Sequence, residues 1–376
     1  QTWLGTVLFE KPPLLFWCLQ LSGLTLGWGE LAMRLPGVLA GLIALIYAAL
    51  LAREIAHVSK RTPAAVPAWA AALAVLITLA TVGFTLNARR PLTDPLLTAA
   101  VLAMVFHGAQ LAVHGTRRSA VGLGVAAGLA VLAKSVAIAP AALVVGLAVL
   151  ARRRFRGAAE AVGISLLVAG PWHLVMSWRH GSEFWSVYAG YHVLSRAGRS
   201  LVAPDDPTYY VTTLLGQEGV LAVVLALGLV VATVAAVRRR SLPLMMVVGV
   251  AWLTALVLQL ASTRYYHYLM PVFPLLGVAA ASALVPWLHR PVVPIVAAFG
   301  ALVAFAVGPL VHVVDPDYAP RAKAIADAYV IEAAPSTRLI LWELYDPALF
   351  WYGERAGEIW AQDPRFLEVM TSIDMM

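Results

Sequence analysis

The sequence predicts an all-α polytopic membrane protein with a small α/β lobe at its C-terminal end. Of its 376 residues, 61% are hydrophobic and 12% are charged, a composition that excludes an ordinary soluble domain. Apolar runs near the length that crosses a bilayer recur along most of the chain. Clusters of basic residues separate alternate runs, as expected of a multi-pass protein. The net charge of +7 therefore reflects topology, and no nucleic-acid partner is expected.

The transmembrane bundle is predicted over residues 31–312, after an outer loop and interfacial helix in residues 1–30. The run Leu14–Leu26 is too short to span a bilayer, so we expect it to lie in the interface, with Trp17 and Trp28 at headgroup depth. Longer apolar runs follow as candidate spans, at 31–54, 64–86, 94–113, 119–133, 136–151, 158–177, 211–237, 242–262, 266–288 and 291–312.

Two of these runs, 119–133 and 136–151, are each short for a span and together too long for one. Arg117 and Arg118 precede the pair, and a second basic cluster follows it at Arg152. If both clusters face the cytoplasm, the segment crosses the membrane and returns. The sequence therefore predicts a hairpin with Lys134 at its far tip.

The basic residues define one face of the bundle. One set of loops carries 13 of the 27 lysines and arginines with little acidic company: Arg53, Lys60, Arg61, Arg117, Arg118, Arg152, Arg153, Arg154, Arg156, Arg238, Arg239, Arg240 and Arg290. The positive-inside rule makes this the cytoplasmic face and leaves both chain ends outside. The opposite loops carry mixed charges, histidines and aromatic residues, which is the composition of a functional site.

Residues 313–376 differ from the bundle because acidic residues are concentrated there. We predict a helix over Pro320–Ala334, a strand over Thr337–Trp342 and a short helix over Asp346–Tyr352, which together form an extracytoplasmic α/β lobe. The single cysteine, Cys18, excludes an intrachain disulfide and a cysteine-only metal site.

The stretch Phe9-Glu10-Lys11-Pro12-Pro13 is the most unusual segment near the N-terminal end. Two prolines fix φ and remove two backbone donors directly after a carboxylate and an ammonium group. Glu10 and Lys11 either pair with each other at a water interface or serve a site. The local sequence leaves both interpretations open.

Several outer-loop residues have a structural and a functional interpretation. Asp94 is either a structural residue, as a helix cap or a charge stabilised by a helix N-terminus, or a carboxylate available for other work, since Thr93 could serve as the cap instead. Lys134 lies between two apolar runs, where a cation is costly unless it is paired or functional. A single loop histidine such as His192 is more often structural, but with a carboxylate it suits Zn or Mn. Arg264 and Tyr268 lie in an aromatic run that fits an interfacial belt or a phosphate contact.

These residues resemble, in order, the motifs of the polyprenyl-phosphate-dependent glycosyltransferases of the GT-C fold. That family includes the lipid A aminoarabinose transferase and, more distantly, the protein O-mannosyltransferases. The resemblance covers about residues 3–290 and rests on five motifs in register. They are Glu10-Lys11-Pro12-Pro13-Leu14 with Trp17 and the following Ala32-Met33-Arg34-Leu35-Pro36-Gly37, Thr93-Asp94-Pro95-Leu96-Leu97-Thr98, Leu132-Ala133-Lys134-Ser135, Gly190-Tyr191-His192 with Arg196, and Arg264-Tyr265 with Tyr268-Leu269-Met270-Pro271. Ser135 stands where the family usually has glycine.

The resemblance implies an integral-membrane transferase that moves a sugar from a polyprenyl-phosphate donor to a lipid or protein acceptor. The site would face the extracytoplasmic side of the plasma membrane and use no nucleotide cofactor. The donor phosphate would contact Lys11, Lys134, Arg264 and Tyr268, because the leaving phosphate gains negative charge. Asp94 would be the catalytic carboxylate of this chain. The family's first carboxylate is expected upstream of Gln1.

The resemblance also implies a metal site. Glu10 and His192 match the family's metal-binding pair, so a divalent ion such as Zn or Mn is expected there. That ion would organise the site, because the donor carries no nucleotide diphosphate for it to hold.

The alternative from another class is a transporter or flippase for a lipid or a solute. Such a protein would also place charges in a membrane cavity. Its charges should lie near the bilayer midplane, whereas the charges described above lie at the ends of predicted spans. The two functions differ in whether Lys11, Asp94, Lys134, Glu10 and His192 meet in one outer cavity.

Overall fold

The computed structural model describes residues 2–3, 6–7, 9, 11–57, 62–195, 206, 208–261, 264–314, 339–342 and 357–360. Predominantly helical segments make up this part of the chain: α1 (Leu14–Leu26), α2 (Glu30–Ala56), α3 (Ala65–Leu79), α4 (Val82–Asn87), α5 (Thr93–His114), α6 (Arg117–Lys134), α7 (Ala139–Ala151), α8 (Phe155–Trp185), α9 (Tyr209–Glu218), α10 (Val220–Arg239), α11 (Leu242–Leu260), α12 (Val272–Leu284), α13 (Val292–Val307) and α14 (Pro309–Val314). Shorter helical turns cover Ser135–Ile138, Tyr266–Leu269 and Val285–Trp287, and a π-helix covers Ser186–Ser195.

The chain divides into two compact units, Phe9–Val311 and a second unit of Gln1–Leu8 with His312–Met376. In the second unit, β1 (Thr2–Trp3) and β2 (Thr6–Val7) pair antiparallel. There, β3 (Leu339–Trp342) pairs in parallel with β4 (Gly357–Trp360). The predicted strand to Trp342 is therefore present as β3, whereas the predicted helices Pro320–Ala334 and Asp346–Tyr352 lie outside the described residues.

The helical unit has the composition of a membrane bundle. Among the described residues, seven segments are long and apolar enough to cross a membrane: Glu30–Ala56, Thr93–His114, Arg117–Ala151, Phe155–Gly190, Val220–Arg239, Leu242–Leu260 and Val292–Val311. Three shorter apolar helices accompany them, including the predicted interfacial helix Leu14–Leu26. Alanine and glycine are frequent at the buried contacts, and small residues let helices approach closely where lipid supplies no hydrophobic drive.

The predicted hairpin between α6 and α7 is confirmed. Helix α6 ends where Ser135 takes a positive φ of 49°, and the chain then reverses through a short 3-10 turn. At one end of α5, Arg154 Nη2 donates to the carbonyl oxygen of Val113 at 3.1 Å. At the other end, Lys134 contacts Asp94. We call these ends of the bundle the Arg154 end and the Asp94 end.

Three predicted spans are interrupted in the structure. The run 64–86 forms α3 and α4, because two backbone N–H groups at the start of α4 turn toward Glu218. The run 211–237 forms α9 and α10, separated by Gly219 with φ 56°. The run 266–288 starts as a 3-10 turn, and its helix α12 begins only after Pro271. In each case a local backbone break overrides a continuous apolar pattern.

Helix α2 contacts the loop before α5 at a glycine. A Cβ atom built on Gly37 would lie 2.7 Å from the carbonyl oxygen of Ala88 and 2.8 Å from that of Arg90. Real Cβ atoms do not approach backbone oxygens this closely, so Gly37 sets the distance between α2 and this loop. The loop carries Arg89 and Arg90 toward the Asp94 end.

We predict that Gly37→Ala destabilises the bundle by about 1–3 kcal/mol, because the new methyl group overpacks against rigid backbone. Gly163→Ala is the matched control, since Gly163 lies in α8 with open space around its Cβ position. Thermal denaturation of both variants in detergent measures the difference. Equal melting temperatures for the two variants would contradict the close contact at Gly37.

Candidate active site

The centre of the Asp94 end is an ion pair between two helix termini. Asp94 lies in the first turn of α5 and is 2% exposed, and Lys134 is the last residue of α6. Lys134 Nζ lies 2.6 Å from Asp94 Oδ1. Leu92 precedes the first turn of α5 without a side-chain cap, so neither Thr93 nor Asp94 is the N-cap. Asp94 is therefore not a helix cap; its carboxylate lies in the first turn and pairs with Lys134, and its catalytic role stays a prediction.

An aromatic ring covers the Lys134 ammonium group. Lys134 Nζ lies 4.0 Å from the centroid of the Tyr268 ring, a cation–π distance. Tyr268 belongs to a packed aromatic group in which its ring meets His267 edge-on at 4.9 Å and Tyr265 at 5.3 Å. Three residues named from the sequence, Asp94, Lys134 and Tyr268, are thus in direct contact.

The pKa of His267 depends on its burial and on the charges around it. Burial lowers the pKa of His267 to about 4; Asp94 opposes the shift, and the positive charges of Lys134, Arg90 and Lys11 add to it. His267 lies before the span that begins at Val272. Its ring is therefore neutral near pH 7, and the surrounding lysine and arginine residues carry the positive charge.

Further arginines extend the positive charge at this end. Burial, followed by the charges of Arg34 and Arg90, lowers the pKa of Arg89. Arg90 Nη1 donates to Asn87 Oδ1 at 3.2 Å, and Arg34 pairs with Glu30 at 3.3 Å. Of these residues, Arg34 lies in a family motif quoted from the sequence, and none was assigned to the site.

A buried carboxylate missed from the sequence holds the aromatic segment in place. Glu218 is 8% exposed and accepts hydrogen bonds from the backbone N–H groups of Val82 and Gly83, each at 2.8 Å. Tyr266 Oη donates to the same carboxylate at 2.5 Å. The available signal was an isolated acidic residue between Gly216 and Gly219 at the start of an apolar run, but its partners lie 48 to 136 residues away in the sequence.

Arg264 lies in a different environment from Lys134. Its Nη1 donates to the carbonyl oxygen of Asp206 at 2.6 Å, and its Nη2 to that of Gln259 at 3.2 Å. Both terminal nitrogens thus bind backbone carbonyl oxygens of segments that precede the aromatic residues. The assignment of Arg264 to the donor phosphate stays a prediction.

Lys11 is partly buried at the start of the helical unit, next to an aromatic anchor. Phe9 packs in a cluster with Phe184 and Tyr188, and its ring lies 4.9 Å from that of His180.

The predicted metal ligands, Glu10 and the side chain of His192, lie outside the described residues. Within the described part of the chain, no group of three or more histidine, cysteine, aspartate or glutamate side chains is placed to hold a metal ion.

Comparisons with known proteins agree with this geometry. Residues 10–178 match the family model described as dolichyl-phosphate-mannose-protein mannosyltransferase. The chain matches ArnT from Cupriavidus metallidurans, solved bound to undecaprenyl phosphate, with a TM-score of 0.75 and 21% identity over 97% of this chain and 78% of that one. The apo structure of the same protein gives 0.74 and 21% over 95% and 76%.

The two solved structures establish that the chain shares the ArnT fold. The family model shows that residues 10–178 are similar to a glycosyltransferase family that uses a polyprenyl-phosphate sugar. The family match begins at Glu10 and includes Lys11, Asp94 and Lys134. No curated protein matches the chain. The fold implied by the sequence motifs is thus confirmed, and the family match over residues 10–178 supports the enzyme class.

We predict that acid weakens the folded state through His267. Its pKa is about 4 in the folded protein and 6.5 in the unfolded chain, so between these values only the unfolded state takes up the proton. Stability is therefore lost as pH falls from 6.5 toward 4, and His267→Gln should lose less. Melting temperatures in detergent across this range test the sign. His289→Gln, an exposed histidine variant, serves as the control. Equal acid sensitivity in wild type and His267→Gln would argue against this sign.

Proposed function

We propose that the protein transfers a sugar from a polyprenyl-phosphate donor to a lipid or protein acceptor at the Asp94 end of the bundle. The observation that carries the proposal is the environment of Lys134. Its ammonium group pairs with Asp94 and contacts the Tyr268 ring, and further cations lie nearby. A partly buried group of cations beside a neutral histidine suits a phosphate ester. The lipid phosphate bound to ArnT of C. metallidurans supports the same donor class.

The chemistry needs positive charge at the leaving group. The acceptor oxygen attacks the anomeric carbon, and the bond from that carbon to the phosphate oxygen breaks. The electron pair stays on the phosphate, whose charge changes from one negative to two. Lys134 and Lys11 are placed to stabilise that added charge, and the acceptor's proton passes to a carboxylate or to water.

In the observed arrangement, Asp94 holds Lys134 at the end of α6. Its carboxylate also lies in the first turn of α5, where the helix dipole stabilises negative charge. A sugar or acceptor hydroxyl that reaches Asp94 would share it with Lys134, while the ammonium group turns toward the phosphate. We therefore propose that Asp94 positions the cation and supports the acceptor or sugar.

The site is proposed to face the extracytoplasmic side of the plasma membrane. Arg117 pairs with Glu160 at 2.7 Å and Arg154 contacts Val113, so the basic clusters gather at the end opposite Asp94. The positive-inside rule assigns that end to the cytoplasm.

Lipid A modification and protein mannosylation are the two acceptor classes that the related proteins suggest. The transporter alternative is not favoured, because the charges of the candidate site lie at the Asp94 end of the bundle, whereas a transporter should carry them near the bilayer midplane.

We predict that Lys134→Ala lowers transfer from a polyprenyl-phosphate sugar about 10²–10³-fold, as loss of a charge-stabilising group does elsewhere. The single change also leaves the buried Asp94 carboxylate without Lys134, which can destabilise the fold. The double variant Lys134→Met with Asp94→Asn removes both charges, so it distinguishes an effect on folding from an effect on transfer. We expect it to recover the melting temperature but not the transfer rate. Arg118→Ala, at the opposite end of α6, should retain full activity. Near-normal transfer by the double variant would exclude the catalytic role of Lys134.

We further propose that Glu10 and His192 bind a divalent ion, Zn or Mn. Support comes from the packing of Phe9, the neighbour of Glu10, against Phe184 and Tyr188, which precede His192 on the same helical segment. When bound, such an ion would organise the loop beside Lys11.

Removal of the ion is predicted to lower the melting temperature and the transfer rate. Exhaustive chelation should cause both losses, and readdition of Zn or Mn should reverse them. Glu10→Gln should abolish the sensitivity to chelator and the metal content measured by elemental analysis. Full activity in metal-free protein would refute the requirement.

A further inference from the structure

The last residues of α8 and the π-helix after them fold back against the earlier part of α8. Tyr188 Oη and His173 Nε2 lie 3.0 Å apart although 15 residues separate them in the sequence. The same number of residues in a straight α-helix spans about 22 Å. The helical conformation is interrupted at Gly181, where φ is 51° and ψ is −128°, so the chain reverses there. Tyr188 then lies in the π-helix Ser186–Ser195, and π-helical turns are frequent at functional sites.

The hydrogen bonds of Tyr188 have a defined direction. His173 Nδ1 lies 2.8 Å from the carbonyl oxygen of Ala169, which can only accept, so the proton of the neutral ring is on Nδ1. Nε2 is then an acceptor, and the Tyr188 hydroxyl donates to it. The Tyr188 oxygen keeps lone pairs of its own, and the side chain of Ser135 hydrogen-bonds to it. The donors therefore run from Ser135 through Tyr188 to His173.

Ser135 has a backbone conformation that favours glycine. Its φ of 49° and ψ of −116° end α6 directly after Lys134. A residue with a Cβ atom is strained in this region, whereas glycine adopts it freely. Strained positions persist where surrounding contacts hold them, and they cluster at functional sites. The hydrogen bond between the Ser135 side chain and Tyr188 is such a contact, and glycine could not make it.

The ring of Tyr188 makes a second link, to the segment that precedes Lys11. Tyr188 is 6% exposed and lies in one cluster with Phe9 and Phe184. Its ring stacks on that of Phe184 at 4.9 Å, and Phe184 meets Phe9 edge-on at 6.0 Å. Phe9 precedes Lys11 by two positions. Tyr188 therefore connects the residue after Lys134, through its hydroxyl, with the segment that carries Lys11, through its ring.

We propose that Tyr188 is a positioning residue that holds Lys134 and Lys11 at the separation needed by the donor phosphate. The inference rests on the proposed function, in which both ammonium groups stabilise the leaving phosphate. The contacts described above hold the ammonium group of Lys134, whereas the bond between Ser135 and Tyr188 holds its backbone. A displacement of about 1 Å in such a group lowers a rate by as much as about 100-fold.

A role in folding alone predicts a different pattern. If the contact only stabilised the fold, its loss would lower the melting temperature, and the transfer rate would fall only as far as the folded fraction falls. Ser135→Gly separates the two roles, because it removes the hydroxyl group and also relieves the backbone strain. We therefore expect this variant to melt at or above the temperature of wild type and yet to transfer the sugar more slowly.

Steady-state transfer by the full chain in detergent tests the positioning role. We expect Ser135→Gly and Tyr188→Phe each to lower kcat about tenfold with little change in KM, because the cations act on the leaving phosphate more than on the bound donor. The double variant should lose no more than either single variant, since both remove one contact. Two controls should keep the kcat of wild type. Tyr47→Phe removes another tyrosine–histidine hydrogen bond, of 3.1 Å, and Arg240→Gly relieves another positive φ, of 51°.

Binding of polyprenyl monophosphate distinguishes the positioning role from the proposed function. This lipid is the leaving group itself and carries the added negative charge, so both variants should bind it about tenfold more weakly than wild type in native mass spectrometry. That loss without transfer from any polyprenyl-phosphate sugar would retain the positioning role and remove the proposed reaction. Transfer with unchanged kcat and unchanged monophosphate binding in both variants would retain the transferase and overturn the role of Tyr188. Losses of kcat that multiply in the double variant would overturn it as well.

Discussion

The ion pair between Lys134 and Asp94 is the interaction on which the site depends. Removing two charges from water costs several kcal/mol per ion, so a buried pair persists only where other groups compensate. Here the compensation comes from helix ends. Asp94 lies at the positive end of the α5 dipole, and Lys134 at the negative end of the α6 dipole. The Tyr268 ring adds a cation–π contact and excludes water from one side.

Much of this arrangement could be predicted from the sequence, because topology follows from coarse patterns. Apolar runs located the helices, and two basic clusters flanking Lys134 required the chain to reverse near that residue. The reversal placed Lys134 at the same end as Asp94. The contact itself depends on the rotation of α5 and α6 about their axes, which a run of alanine, leucine and valine does not specify.

Other parts of the site could not be predicted because they depend on long-range hydrogen bonds. Arg264 was assigned to phosphate by its motif, but its terminal nitrogens contact two backbone carbonyl oxygens in the structure. Glu218 has partners at Val82, Gly83 and Tyr266, none of them close in sequence. The breaks at Thr81 and Gly219 accompany the same carboxylate, and the apolar pattern continues through both.

Glu218 makes one wall of the site stiff. Its carboxylate joins the start of α4, the end of α9 and the turn that carries Tyr268, so this wall moves only if three hydrogen bonds break together. In contrast, α1 buries only Leu15, Ser22 and Gly23, and four of its apolar side chains are exposed: Trp17, Leu21, Leu24 and Leu26. The Glu218 side of the bundle is therefore held by hydrogen bonds, whereas α1 is held by few buried side chains. A lipid that enters from the membrane should therefore displace α1 and leave the aromatic wall unmoved.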